Sequence, residues 1–196
     1  PLRLVGSEMC IRDRFNSEFK LNGVSLSIES LLLSSKTDNP DFFQFIKQWT
    51  SKSSTIELYT SGSTGLPKKI HVSKSKMVVS AKRTASFLNL QPKDKALCCL
   101  PFDYIAGKMM VVRALVLGLD LYLTKPSKNP LKTIATNFDF VAFTPYQLDH
   151  SLSQLNKIKT LIVGGGPISE KTKSFLYKNK TNVYETFGMT EAICLL

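Results

Sequence analysis

Apolar and polar positions change period several times along this chain. Between residues 41 and 49, Phe42, Phe45, Ile46 and Trp49 recur at helical spacing, so one face of a helix is expected to be buried. Before it, residues 15–33 hold Leu21, Val24, Leu26, Ile28 and the run Leu31-Leu32-Leu33, which read as an irregular start plus a short helix. The apolar run 56–59 reads as a buried strand and 70–72 as another. Ser73 suits the N-cap of a helix reaching about residue 90, with Met77, Ala81, Thr84, Ala85 and Leu88 as its stripe. An alternation follows. Residues 96–100, 119–123, 140–143, 160–163 and 182–185 read as strands, and 105–117, 129–137, 146–155 and 169–178 as helices. Strands alternating with helices imply crossover units and an α/β fold built on mostly parallel sheet. Ligands of such sheets sit beyond the carboxyl ends of the strands.

Composition narrows the class. A chain of 196 residues can bury a core and form one domain or a large part of one. No apolar run reaches the roughly 18–20 residues of a membrane span. Residues 1–14 carry charges and lack the apolar centre of a secretory signal. Cys10, Cys98, Cys99 and Cys194 show no zinc spacing, and Cys98 and Cys99 read as small buried residues in an apolar run. Without a disulfide framework, a cytoplasmic location is expected. The net charge of +11 raises the question of nucleic acid. Its lysines are scattered, with mild density at 68–82 and 171–180 and no interleaved aromatics. Solvated helix faces that attract anionic nucleotides are the expectation, and a nucleic-acid partner is not expected.

The densest chemistry lies at 59–69, Tyr-Thr-Ser-Gly-Ser-Thr-Gly-Leu-Pro-Lys-Lys. Gly62 and Gly65 let the backbone curl so that N–H groups converge. Thr60, Ser61, Ser63 and Thr64 add hydroxyl donors, and Lys68 and Lys69 add charge. That combination suits a polyphosphate. It is not a Walker A loop, because Gly65 is followed by Leu66, and no G-x-G-x-x-G is present. Two further segments stand out. Gly164-Gly165-Gly166-Pro167 follows the strand at 160–163, where a tight turn alone is the competing reading. Residues 184–192 read Tyr-Glu-Thr-Phe-Gly-Met-Thr-Glu-Ala.

The run Thr-Ser-Gly-Ser-Thr-Gly-Leu-Pro-Lys resembles the phosphate loop of the AMP-forming acyl-CoA synthetase family, which also includes luciferases and peptide-synthetase adenylation domains. The aromatic-Gly-x-Thr-Glu core at Phe187 and the glycine triplet are similar to its two other nucleotide motifs, in the same order. The resemblance implies the large N-terminal domain of the acyl-adenylate-forming fold. It implies ATP and Mg²⁺, with CoA as co-substrate and a small carboxylic acid as acyl donor. Ser61, Ser63, Thr64 and Lys68 would hold the β- and γ-phosphates, and Gly164, Gly165, Gly166 and Pro167 would meet the adenine edge. Phe187 would stack on adenine, Gly188 permits close approach, and Thr190 would bind the α-phosphate. Glu191 would hold Mg²⁺ with a hard oxygen ligand. Thr190, Glu191 and Lys68 are the residues expected to carry catalysis.

The resemblance also points to an acyl side. Residues 100–107, Leu-Pro-Phe-Asp-Tyr-Ile-Ala-Gly, lie where the family has a segment leading into a helix that lines the acyl pocket. Tyr104, Gly107, Lys108 and Thr144 are the pocket candidates. Tyr104 replaces a histidine common in the family; a gate and a packed core tyrosine are both open. Lys108 opens an otherwise apolar helix, either as an exposed lysine on its free side or as the cation for a second carboxylate of a dicarboxylic substrate. His150 has no evident partner and reads as a surface residue.

The resemblance spans roughly residues 21–193. Family members are longer and continue with a ribose-binding aspartate, a hinge and a small C-terminal domain with a catalytic lysine. Residues 1–14 do not resemble the family start and look like a translated assembly junction. The expectation is a leader at 1–14 and a partial AMP-binding domain at 15–196, poorly active alone. A carrier-protein adenylation domain and a non-catalytic phosphate-backbone binding module are the rivals. Oligomeric state is not legible.

Overall fold

The computed structural model describes residues 14–60 and 68–186. Its main sheet has seven strands: β1 (Lys20–Leu21), β2 (Val24–Ser25), β5 (Lys95–Cys98), β6 (Asp120–Leu123), β7 (Phe138–Phe143), β8 (Ile158–Val163) and β9 (Asn182–Glu185). Their order is β2-β1-β6-β5-β7-β8-β9. Every pairing in it is parallel except β1 with β2. The expected α/β architecture is therefore present. A separate antiparallel pair, β3 (Thr55–Thr60) and β4 (Lys68–Ser73), stands outside that sheet.

Helices cover both faces. Alternation along β5 sends Ala96 and Cys98 into one apolar cluster and Leu97 and Cys99 into the other. The first cluster packs α2 (Pro40–Thr50), α3 (Lys74–Leu88), α4 (Ile105–Leu117) and the β3–β4 pair, with Ile56, Leu58, Met77 and Val111 all buried. Helix α2 buries Phe42, Phe45, Ile46 and Trp49, the four residues its period names. The second cluster lies under α5 (Pro145–Ser151) and the 3₁₀ turn that follows it at Leu152–Lys157. Helix α6 (Glu170–Leu176) starts at Ser169, whose hydroxyl accepts from Thr172 N. No helix among the described residues is long and apolar enough to cross a membrane.

Four expectations change. Residues 15–33 contain a tight hairpin before α1 (Ile28–Asp38). Asn22 and Gly23 both take positive φ, 51° and 83°, in a turn that suits Asn-Gly. The Gly23 amide is held by Asp120 Oδ1 at 2.8 Å. Residues 129–137 are not a helix. Asn129 Oδ1 accepts from Leu131 N, while Asn129 Nδ2 donates to His150 O and Gln154 Oε1. Those local and tertiary bonds compete with a helical turn, and Leu131 is drawn into the core. The helix at 146–155 is shorter, passing into the 3₁₀ turn at Leu152. Helix α3 ends at Leu88, where Asn89 takes the left-handed conformation, and Ser73 caps it without a side-chain bond.

The lysine-rich stretch 68–82 also departs from a uniformly solvated face. Lys74 is fully buried, and its ammonium donates to Ser51 O at 2.9 Å and Ser51 Oγ at 3.1 Å. Burial, helped by the Arg14 charge, pushes its pKa down to about 8 from 10.5. The folded chain thus holds this proton more weakly than the unfolded chain. Stability linked to Lys74 is complete above about pH 10.5 and is lost as pH falls towards 8. A Lys74→Met variant is expected to lose that alkaline rise, with melting temperature at pH 7 equal to or above wild type. Thermal melts from pH 7 to 10.5 check it; an unchanged slope would remove Lys74 as its source. The thiols of Cys98 and Cys99 are buried and free, and burial raises both, Cys98 to about 12.

Candidate functional site

The chain leaves β5 in one direction and β7 in the other. From β5 it runs through α4 to β6; from β7 it runs through α5 to β8 and on to β9. Because β5 and β7 are neighbours, the strand order reverses between them, and the carboxyl edge at such a reversal is where ligands of parallel sheets bind. The β5 exit is the segment 99–104 and the β7 exit is Thr144, so two parts of the expected acyl side flank this point.

Side chains bind the exits into one rim. Thr144 caps α5: its hydroxyl accepts from Gln147 N, and Gln147 Oε1 accepts from Thr144 N. Gln147 Nε2 also donates to Cys99 O at 3.2 Å and Ser127 O at 3.1 Å. One buried amide therefore joins the exits of β5, β6 and β7. Sequence reasoning passed over Gln147, although Thr144-Pro-Tyr-Gln147 is a capping-box signature. Along the rim, Gly164 N donates to Phe143 O at 3.1 Å, and Thr186 N donates to Val163 O at 2.7 Å.

The glycine triplet lies on this rim. A Cβ on Gly164 would fall 2.7 Å from Thr186 Oγ1. Gly165 has φ +89° and open space where a Cβ would stand. The backbone is thus bare at this edge, a surface that a flat ring edge can approach. Gly166 packs near Pro145, with 3.7 Å between its would-be Cβ and Pro145 Cγ.

The acyl-side candidates separate by burial. Tyr104 is 52% exposed at the N-cap of α4, which removes the packed-core alternative. Gly107 is buried, and a Cβ there would stand 2.2 Å from Pro101 O; its smallness serves the contact between α4 and the β5 exit. Lys108 is 9% exposed, so the reading of a free, solvated lysine does not hold. Burial lowers its pKa, and the nearby Asp103 carboxylate opposes that shift without reversing it. Among the described residues no carboxylate lies within 4.0 Å of its ammonium. His150 is exposed as expected, yet its Nδ1 sits 2.8 Å from Tyr146 O and its ring packs on Tyr146.

The expected phosphate loop lies between two strands of an antiparallel pair. Thr60 and Lys68 are the last register pair of β3 and β4. It therefore does not follow a strand of the parallel sheet, unlike the triplet. Next to it, Lys69 pairs with Glu57 at 2.7 Å. Ser61, Gly62, Ser63, Thr64 and Gly65 lie outside the described residues, as do Phe187, Gly188, Thr190 and Glu191.

Comparison with known proteins places the chain in a family. Residues 23–196 match the family of AMP-binding enzymes. The chain belongs to the AMP-binding enzyme family. Within it, the chain is 26% identical over 154 residues to a 2-succinylbenzoate–CoA ligase of Listeria monocytogenes, covering 74% of this chain and 33% of that protein. It is 29% identical to the Enterococcus faecalis protein of the same name, covering 68% and 30%. It thus spans about a third of the length of these curated relatives. Among solved structures, an acyl-CoA synthetase (AMP-forming)/AMP-acid ligase II-like protein from Dyadobacter fermentans superposes with a TM-score of 0.77 at 34% identity. That match covers 86% of this chain and 51% of the other. The o-succinylbenzoate coenzyme A synthetase of Bacillus subtilis, solved in complex with AMP, shares the fold at TM-score 0.62 and 24% identity. It covers 68% of this chain and 29% of that one. In this family member, then, the strand-order reversal and the bare glycine rim lie at the same carboxyl edge.

Proposed function

We propose that this chain carries the nucleotide and acyl sites of an ATP-dependent acid–CoA ligase, and that its acid is o-succinylbenzoate. The observation that carries the proposal is the strand-order reversal between β5 and β7. There the Tyr104–Lys108 segment and Thr144 stand on the same rim as the bare Gly164–Gly166 backbone. A carboxylate held on the first side can meet a nucleotide held on the second.

In the first step a carboxylate oxygen of the acid attacks the α-phosphorus of ATP, the bond to the β-phosphate oxygen breaks, and pyrophosphate leaves. In the second, the CoA thiolate attacks the acyl carbon and AMP leaves. The chain's own part is to place the reactants and to match charge where it develops. Thr60, Ser61, Ser63, Thr64 and Lys68 hold the β- and γ-phosphates in this reading. The triplet with Pro167 and Phe187 holds the adenine, and Thr190 the α-phosphate. The carboxylate of Glu191 is a donor suited to Mg²⁺, which when bound offsets phosphate charge. The dicarboxylic substrate is supported by the names of the curated relatives and by Lys108, a buried cation next to the β5 exit.

Pyrophosphate release should be measured on the full-length gene product with o-succinylbenzoate set against fatty and aryl monocarboxylic acids. Release confined to o-succinylbenzoate is expected. Release with a different acid would keep the reaction and discard this substrate. Silence with every acid would sink the ligase reading and favour a nucleotide-binding module.

A further inference from the structure

Glu185 ends β9, two residues before Phe187, and its two carboxylate oxygens have different partners. Oε1 accepts a hydrogen bond from Ile168 N at 2.9 Å. Oε2 lies 4.0 Å from Lys173 Nζ on α6. Ile168 is the residue immediately after Gly164-Gly165-Gly166-Pro167, and its side chain is buried in the core below. The other end of that loop is held by Gly164 N on Phe143 O. Thr186 adds a second tie, with its N and Oγ1 both donating to Val163 O at 2.7 and 3.2 Å. The parallel ladder between β8 and β9 stops at Val163 opposite Glu185. Beyond that point the separation between the glycine loop and the β9 exit rests on these ties, with the Glu185 carboxylate holding the far end of the loop.

We propose that Glu185 is a positioning residue for the nucleotide: its carboxylate fixes the Gly164–Pro167 backbone against the β9 exit. This rests on the reading of the triplet as the adenine-facing backbone. The acceptor geometry matters here, not the charge. The Lys173 and Glu185 side chains are 38% and 41% exposed, and Lys173 bonds Glu170 more closely, at 2.9 Å. A half-exposed pair of that kind contributes little. The bond to Ile168 N joins the carboxylate oxygen to an amide that no strand supports.

The test compares Glu185→Ala with Glu185→Gln in the full-length gene product. AMP affinity is measured by calorimetry, and amide hydrogen exchange at 164–168 is followed without ligand. Glu185→Ala is expected to speed exchange at Ile168 and weaken AMP about tenfold, the size of one lost hydrogen bond. The KM for the acid is expected to stay unchanged, which a general loss of structure would not allow. Glu185→Gln keeps an oxygen acceptor and is expected to behave like wild type in both measurements. Wild-type exchange or AMP affinity in Glu185→Ala would overturn the proposal, as would a Glu185→Gln variant as weak as Glu185→Ala. If the wild type binds no AMP, yet Glu185→Ala still loosens Ile168, the nucleotide reading of the triplet fails and the positioning role falls with it. The exchange data show which of the two failed.

Discussion

Replacing Lys108 with methionine is expected to raise the KM for o-succinylbenzoate, the proposed acid, about 100-fold, while the KM for ATP keeps its value. The reason is the cost of leaving a buried charge alone. Lys108 is 9% exposed, with burial as the main cause of its lowered pKa. The Asp103 charge offsets only part of that cost. A carboxylate arriving at the ammonium would complete the compensation. Removing one member of such a buried pair typically costs on the order of 2–5 kcal/mol, so 100-fold, about 2.7 kcal/mol, lies in the lower part of that range. Methionine keeps the length of the apolar stem, so the melting temperature is not expected to fall. Its pH response has a fixed sign. A lysine held below its ordinary pKa costs stability at neutral pH and recovers it as pH rises towards 10.5. That recovery should be absent in Lys108→Met. An acid KM equal in wild type and variant would show that the ammonium meets no substrate carboxylate.

The second large effect is on stability. Gly107→Ala is expected to destabilise the fold by about 3 kcal/mol, the upper end of ordinary overpacking. That corresponds to a melting temperature lower by roughly 6–12 °C at this chain length. In an exposed helix the same change gains about 1 kcal/mol. Here the sign reverses because the new methyl would stand 2.2 Å from Pro101 O, 2.8 Å from Pro101 C and 3.0 Å from Leu100 O. These are backbone atoms, and they cannot rotate away. The first turn of α4 would have to lift off the β5 exit, carrying Tyr104 and Lys108 with it. The acid KM should therefore rise along with the loss of stability. A melting temperature above that of wild type would mean that α4 and the β5 exit do not touch at Gly107.

Much of this fold is written in local periods. Phe42, Phe45, Ile46 and Trp49 name the buried face of α2 because a helix repeats its face every three to four residues, whatever lies opposite. Helix α4 and strand β9 have the boundaries their apolar runs and flanking turns imply. Strands alternating with helices were enough to call for a parallel sheet, and therefore for a site at the carboxyl edge. The Asn22-Gly23 turn and the Thr144–Gln147 capping box were equally local. Each signal was short, and neither was used in reading the sequence.

What the tertiary structure alone decided has a common physical cause. Burial of a charge, the partner of a loop and the order of strands depend on groups far apart in the chain. Nothing around Lys74 distinguishes it from its solvated neighbours; it is buried because Ser51, at the end of α2, receives its ammonium. Lys108 is buried because α4 is covered on all sides. The segment 129–137 is held open by bonds from Asn129 to His150 and Gln154. The phosphate loop follows a strand, as its sequence implies, yet that strand belongs to a separate antiparallel pair. By itself, the sequence determined most of the elements, the parallel sheet, the three motifs and the family they resemble. The reversal between β5 and β7, and the rim on which the triplet, Thr144 and the β5 exit come together, were set by strand pairing, a long-range choice that no local period encodes.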